Sequence, residues 1–243
     1  MSTDPAFSLW PPAPDWRAWR HVTKIDPERP LDRATLEAVY TSGTNAIMVG
    51  GSTGMTGDAV FATLRRLREA PVPIALEVSS LESAMPGAAL FLIPLVLNTP
   101  QGDWMGGAQA RAMTEILPRY GPIIPWHLLL PEAYLVLNPN STVARLTGAA
   151  TGIDAATAAA YAAFAGRVLR LPMIYVEYSG TFGDMDLLAA VRANAGDAHV
   201  IYGGGISSGE QAARAGAHAG TVVVGNLIYT DPGRLRETVA ALR

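Results

Sequence analysis

The residues able to do chemistry cluster in a few short strings. In His21-Val22-Thr23-Lys24-Ile25-Asp26-Pro27, Lys24 and Asp26 fall on the same strand face as Val22. A lysine and an aspartate on an inward face are costly to desolvate unless they are paired or bound to something. They read as a phosphate contact (Lys24) and a divalent-metal ligand (Asp26), or as a Lys–Asp pair, or with Asp26 capping the turn before Pro27. In Tyr175-Val176-Glu177-Tyr178-Ser179-Gly180, alternation puts Tyr175, Glu177 and Ser179 together. A carboxylate flanked by hydroxyls suits binding a polyol or accepting a proton; the other reading is a strand end with aromatic packing. Gly203-Gly204-Gly205 and Gly225-Asn226 leave backbone N–H groups open to an anion, unless they serve only to reverse the chain. In Gly50-Gly51-Ser52-Thr53-Gly54 the Ser52 or Thr53 hydroxyl is either a Mg²⁺ ligand or a helix cap. Glu77 faces either the same mouth or an outer helix.

The elements that position these strings alternate. Apolar β-type runs are read at 21–26, 46–50, 74–78, 90–97, 133–137, 174–178, 200–202 and 221–224. Helical spacing follows at 32–40, 58–69, 103–117, 155–169, 185–194, 208–215 and 232–242. Only residues 80–86 separate the third and fourth runs, too few for a packing helix. Strands that are almost continuously apolar, such as TVVVG, suit a parallel sheet buried on both faces. The fold class is therefore α/β, a modified (βα)8 barrel in which a short segment replaces the helix after strand 3. No GxGxxG opens the first helix, which speaks against a doubly wound open sheet. Residues 1–16 read as a loose N-terminal arm, pinned by Trp10 or Trp16, and 17–243 as a single barrel domain. In such a barrel the site lies at the C-terminal ends of the strands, where the strings above fall.

Composition narrows the class. The 243 residues are 49% hydrophobic and 16% charged, which excludes a disordered chain. With no cysteine there is no disulfide framework, thiolate metal site or cysteine nucleophile. A net charge of −3 without a polybasic block disfavours nucleic acid. The longest apolar run is too short to span a bilayer and no signal peptide is evident, so a cytoplasmic location is expected. His21, His127, His199 and His218 lack metal-ligand spacing.

The motifs HVTKIDP, VGGS, YVEYSG, YGGGI and VVVGN, in that order and at barrel spacing, resemble the geranylgeranylglyceryl and heptaprenylglyceryl phosphate synthase family. SGTNAIMVGGS, LEVSS and IPLVLN are similar to its bacterial heptaprenyl branch. The resemblance runs from about Trp16 to the C-terminus. It implies a Mg²⁺-dependent prenyltransferase acting on a polyprenyl diphosphate and sn-glycerol-1-phosphate. It further implies that Lys24 contacts the glycerol phosphate and that Asp26 and Ser52 bind Mg²⁺. Tyr175, Val176, Glu177, Tyr178, Ser179, Gly180, Gly205, Gly225 and Asn226 would bind the glycerol phosphate. Glu177, Asp26 and Lys24 are the expected catalytic residues. Ile93, Leu95, Trp104 and Met105 are candidates for a prenyl groove, with Gly106, Gly107 and Ala108 leaving room for a long chain. A homodimer and at most transient membrane-surface contact are expected. A different phosphorylated three-carbon acceptor, another phosphate-binding barrel enzyme, or a non-catalytic phospholigand-binding barrel are the competing readings.

Overall fold

Residues 10–51 and 55–243 are described in the structure, a computed structural model of the chain. The strands are β1 (His21–Ile25), β2 (Ala46–Val49), β3 (Ile74–Glu77), β4 (Leu90–Val96), β5 (Leu129–Val136), β6 (Met173–Glu177), β7 (His199–Gly203) and β8 (Thr221–Val224). They pair in parallel in sequence order and form a closed barrel. β8 meets β1 through His21↔Val222, Val22↔Val223 and Thr23↔Val224. The expected (βα)8 architecture is thus present. One side-chain set of each strand fills the barrel and the other meets the helices, so both faces are apolar over most of their length.

The helices are α1 (Arg33–Thr41), α2 (Gly57–Leu67), α3 (Gly107–Tyr120), α4 (Thr142–Thr147), α5 (Ala155–Ala163), α6 (Met185–Asn194), α7 (Gly209–Gly216), α8 (Leu227–Thr230) and α9 (Leu235–Ala240). Asp32, Thr56, Ser141, Asp154, Asp184 and Ser208 start α1, α2, α4, α5, α6 and α7, each side chain accepting a backbone N–H of the first turn. After β3 there is only a 3₁₀ turn, Leu81–Ser83, closed by reciprocal Ser80 and Ser83 bonds. The short segment read at 80–86 is borne out.

Several boundaries differ from the sequence reading. β5 begins at Leu129 rather than 133, because Pro131 and Glu132 interrupt the apolar pattern while remaining in the sheet. The short helices α4 and α8 are too brief to show a helical period. The 155–169 stretch ends in a π-helical turn, Phe164–Val168, where Gly166 abuts the Ala195 carbonyl. The arm is not loose from Trp10 onward. Trp10 Nε1 donates to the Ile123 carbonyl at 2.8 Å, and its ring meets Phe91 edge-on at 6.4 Å. Trp16 and Trp19 line a small apolar hollow at the N-terminal end of the barrel with Val22, Leu90 and Met173.

His21 joins the two ends of the chain. Its Nδ1 lies 2.8 Å from Thr44 Oγ1 and its Nε2 3.0 Å from Thr238 Oγ1 on α9. Burial lowers its pKa to about 4. His199, beneath Trp16, is also lowered to about 4, by burial first and then by Arg17, Arg192 and Arg20. Below pH ~6.5 the unfolded chain takes up protons that the folded chain refuses. The stability these histidines contribute is therefore complete above that pH and falls as pH drops toward 4, by on the order of 3 kcal/mol for His21 alone. Urea unfolding at pH 7.5 and 4.5 should show this loss, and His21→Asn should flatten the pH dependence.

Candidate active site

The C-terminal ends of the strands surround a cavity of about 120 Å³. Lys24 projects from β1 into its floor, where Nζ sits 2.7 Å from Glu77 Oε2. Glu77 therefore faces the barrel interior, and the partner of Lys24 is Glu77 rather than Asp26. The Tyr134 hydroxyl also donates to Glu77. Tyr134 stacks on Tyr175, with ring centroids 4.6 Å apart and planes 6° from parallel. Gly50 and Gly203 make room for this layer: a Cβ at Gly50 would overlap the Glu77 carboxylate, and one at Gly203 the Tyr175 hydroxyl.

Going up from Tyr175 in the floor, Glu177 at the end of β6 and Ser179 just beyond it also line the cavity, as alternation predicts. The Ser179 N–H donates to Glu177 Oε1 at 2.8 Å and fixes the carboxylate. Gly180, Gly205, Gly225 and Asn226 complete one wall. Gly205 has φ +55°, and its backbone lies against Thr181 and Phe182 so closely that no Cβ fits. Val176 and Tyr178 are not on the cavity wall. Val176 is buried on the opposite face of β6, and Tyr178 packs over Gly183 and Gly204 and against Tyr202.

Asp26 sits at the rim. Its N–H donates to the Tyr229 hydroxyl at 2.9 Å, and its Oδ1 accepts the Glu28 N–H at 3.0 Å. Among the described residues Oδ2 makes no hydrogen bond. Ser52 lies outside the described residues. No group of three or more His, Cys, Asp or Glu among the described residues could hold a metal. One free carboxylate oxygen at a cavity rim fits Mg²⁺, which takes one or two protein carboxylates and completes its shell with water and substrate phosphate. Asn98, which closes β4, is a structural pin: its amide bonds both the N–H and the C=O of Val136 and the carbonyl of Ala150.

The PcrB family model matches residues 14–242. The chain is 45% identical to heptaprenylglyceryl phosphate synthase of Brevibacillus brevis over 94% of its own length and 97% of the relative. It is 43% identical to the Bacillus cereus enzyme of that name, covering 94% and 98%. The chain belongs to the PcrB family. A solved relative, (S)-3-O-geranylgeranylglyceryl phosphate synthase of Thermoplasma acidophilum in complex with sn-glycerol-1-phosphate, shares the fold. Its TM-score is 0.80 at 24% identity, with 93% of each chain covered.

The electrostatics of this PcrB-family site follow from burial. Desolvation raises Glu177 to about 7; Lys24 and the Ser179 bond pull it down, while Glu77 pushes it up. For Lys24, burial acts to lower the pKa, but the charge and hydrogen bond of Glu77, together with the Glu177 carboxylate, outweigh it and hold the ammonium above its usual value. Burial holds Tyr134 and Tyr175 well above the usual phenol range, so both stay protonated.

Sequence reasoning missed Glu132, Arg29 and Tyr229. Glu132 was hidden because it lies before the strand start read at 133. Its side chain is fully buried, and neither carboxylate oxygen has a hydrogen-bond partner. Burial, then the charge of Glu77, raises its pKa well above the carboxylate range, so it is a neutral acid. Its contribution to stability is complete below the unfolded pKa of ~4.3 and is lost as pH rises toward the raised folded value. Glu132→Gln should leave turnover at pH 7 nearly unchanged and already be somewhat more stable there, because the wild type loses stability above pH ~4.3. In urea titrations its advantage should grow as pH rises, and a large loss at pH 7 would mean that the carboxyl is ionised.

Proposed function

We propose that this PcrB-family prenyltransferase moves a polyprenyl group from a polyprenyl diphosphate to the 3-hydroxyl of sn-glycerol-1-phosphate. The products are an ether-lipid precursor and diphosphate. One observation carries the reading: Glu177, a carboxylate with a pKa near neutrality, shares a cavity with a glycine-lined anion cup. The names of its curated relatives support the same chemistry and point to a heptaprenyl donor.

The residues divide the work by depth. Gly205, Gly225 and Asn226 hold the acceptor phosphate through backbone and amide donors, and Lys24 adds positive charge from below. The acceptor hydroxyl then lies by Glu177, oriented by the Ser179 N–H. Glu177 accepts the hydroxyl proton as the oxygen–carbon bond forms and the allylic carbon–diphosphate bond breaks. Holding both partners in this geometry supplies up to about 7–11 kcal/mol of the barrier. Asp26 and Ser52 would hold Mg²⁺, which would supply positive charge to offset that of the leaving diphosphate. Ile93, Leu95, Leu129 and Pro131 are only half-buried on β4 and β5, and no residue of α3 is buried. Half-buried Trp104 and exposed Met105 precede α3. This incompletely covered apolar strip supports a place for the prenyl chain. A lipid product fits a cytoplasmic enzyme that touches a membrane surface at most transiently.

The test is transfer of labelled sn-glycerol-1-phosphate into organic-extractable product, with donors from farnesyl to heptaprenyl diphosphate. Label should depend on Mg²⁺ and vanish with EDTA; no label with any donor would overturn the reading. Asp26→Ala should abolish turnover and leave the circular-dichroism spectrum unchanged, whereas near wild-type rates would remove the metal role. Glu177 must be ionised to accept a proton, so kcat/KM should rise with pH through about 7. Glu177→Gln should lose this acid limb and lower kcat by about 10²–10⁴-fold, with a smaller change in KM.

A further inference from the structure

Arg29 lies on the loop after β1, where its N–H donates to the Asp26 carbonyl at 3.1 Å. Its guanidinium carbon sits 3.6 Å above the centre of the Tyr229 ring. Nη1 donates to Asn226 Oδ1 at 2.9 Å. Two neutral groups therefore hold the guanidinium in place. Among the described residues no carboxylate lies within ion-pair distance of Arg29, although it lines the same cavity as Asp26. The other cation on the wall, Lys24, is already matched by Glu77 on the floor. Tyr229 ties the arrangement together, because the hydroxyl of the ring under Arg29 accepts the Asp26 N–H. The rim thus carries a fixed, unneutralised guanidinium beside Asp26, while the cup below it has backbone N–H groups, the Asn226 amide and a Lys24 charge already matched by Glu77.

We propose that Arg29 binds the diphosphate of the prenyl donor and stabilises it as it departs. This inference rests on the prenyl-transfer reading above. A diphosphate gains negative charge when the allylic bond breaks, and a planar guanidinium can bond two of its oxygens at once. The stack on Tyr229 holds the fork ready, so little side-chain freedom is lost on binding. The acceptor carries only one phosphate, and the glycine cup already provides for it. Arg29 therefore discriminates by substrate: it serves the donor and not the acceptor.

The experiment uses the full chain with Mg²⁺ and inorganic pyrophosphate as probe, so that it does not depend on turnover. Calorimetric titration should show Arg29→Ala binding pyrophosphate at least about tenfold more weakly than wild type. Affinity for sn-glycerol-1-phosphate should stay within about twofold. In the transfer assay the KM for the prenyl diphosphate should rise in parallel, with the acceptor KM unchanged. Arg29→Lys should recover part of the loss, since it restores the charge but not the fork. Unchanged pyrophosphate affinity in Arg29→Ala would overturn the proposal. So would an equal loss for sn-glycerol-1-phosphate, or a wild-type protein that binds no pyrophosphate. A wild type that binds pyrophosphate through Arg29 but transfers no prenyl group would sink the enzymatic reading and leave the anion site standing.

Discussion

The ion pair between Lys24 and Glu77 is the contact on which the rest of the site depends. It is made inside the barrel, where a lone ammonium or carboxylate would be driven to neutralise. The Glu77 side chain is only 5% exposed. Removing one member would leave the other buried and uncompensated, a cost of about 3–5 kcal/mol. The pair also sets the charge state of its neighbours. The Glu77 charge helps to keep Glu132 and Tyr134 protonated, and Lys24 restrains the upward shift of Glu177. The glycines at 50 and 203 follow from the same need, since the inward carboxylate and phenol require space that any side chain would fill.

The depth of a residue along its strand assigns its part in the chemistry. The apolar hollow bounded by Trp16 and Trp19 closes the N-terminal end of the barrel. The floor of tyrosines and carboxyls sits above it and is shielded from solvent. Glu177 and the glycines at 205 and 225 form the next level and line the cavity. Asp26 and Arg29 stand at the rim. Polarity thus rises from bottom to top. The rim residues bond to their neighbours mainly through neutral groups: the Tyr229 hydroxyl, the Asn226 amide oxygen and the Glu28 N–H. The charges of Asp26 and Arg29 remain available to a ligand.

Much of this was legible in the sequence because the barrel has a strict two-residue period. Once Lys24 was placed on a strand, Asp26 followed on the same face; once Glu177 was placed, so did Tyr175 and Ser179. The same rule separates Val176 and Tyr178 from the cavity, against the expectation carried over from the family motif as a block. What the sequence hid depends on register and on long-range contacts. Glu77 could have faced either way, since a four-residue strand is too short to declare its inner side. Glu132 lies beside Pro131, just before the apolar run at 133–137 that marks the strand in the sequence. Arg29 and Tyr229 are about two hundred positions apart, and only closure of β8 onto β1 brings them together. The docking of Trp10 on Phe91 and Ile123 is a surface contact with no periodic signature.

The tryptophans of the N-terminal segment have a further consequence. With its lower end closed by Trp16 and Trp19, the barrel works as a cup and not as a pipe. Every molecule that reaches Glu177 passes the same rim, and every product leaves by it. Entry and exit share one doorway, so the fold itself constrains the order in which ligands come and go.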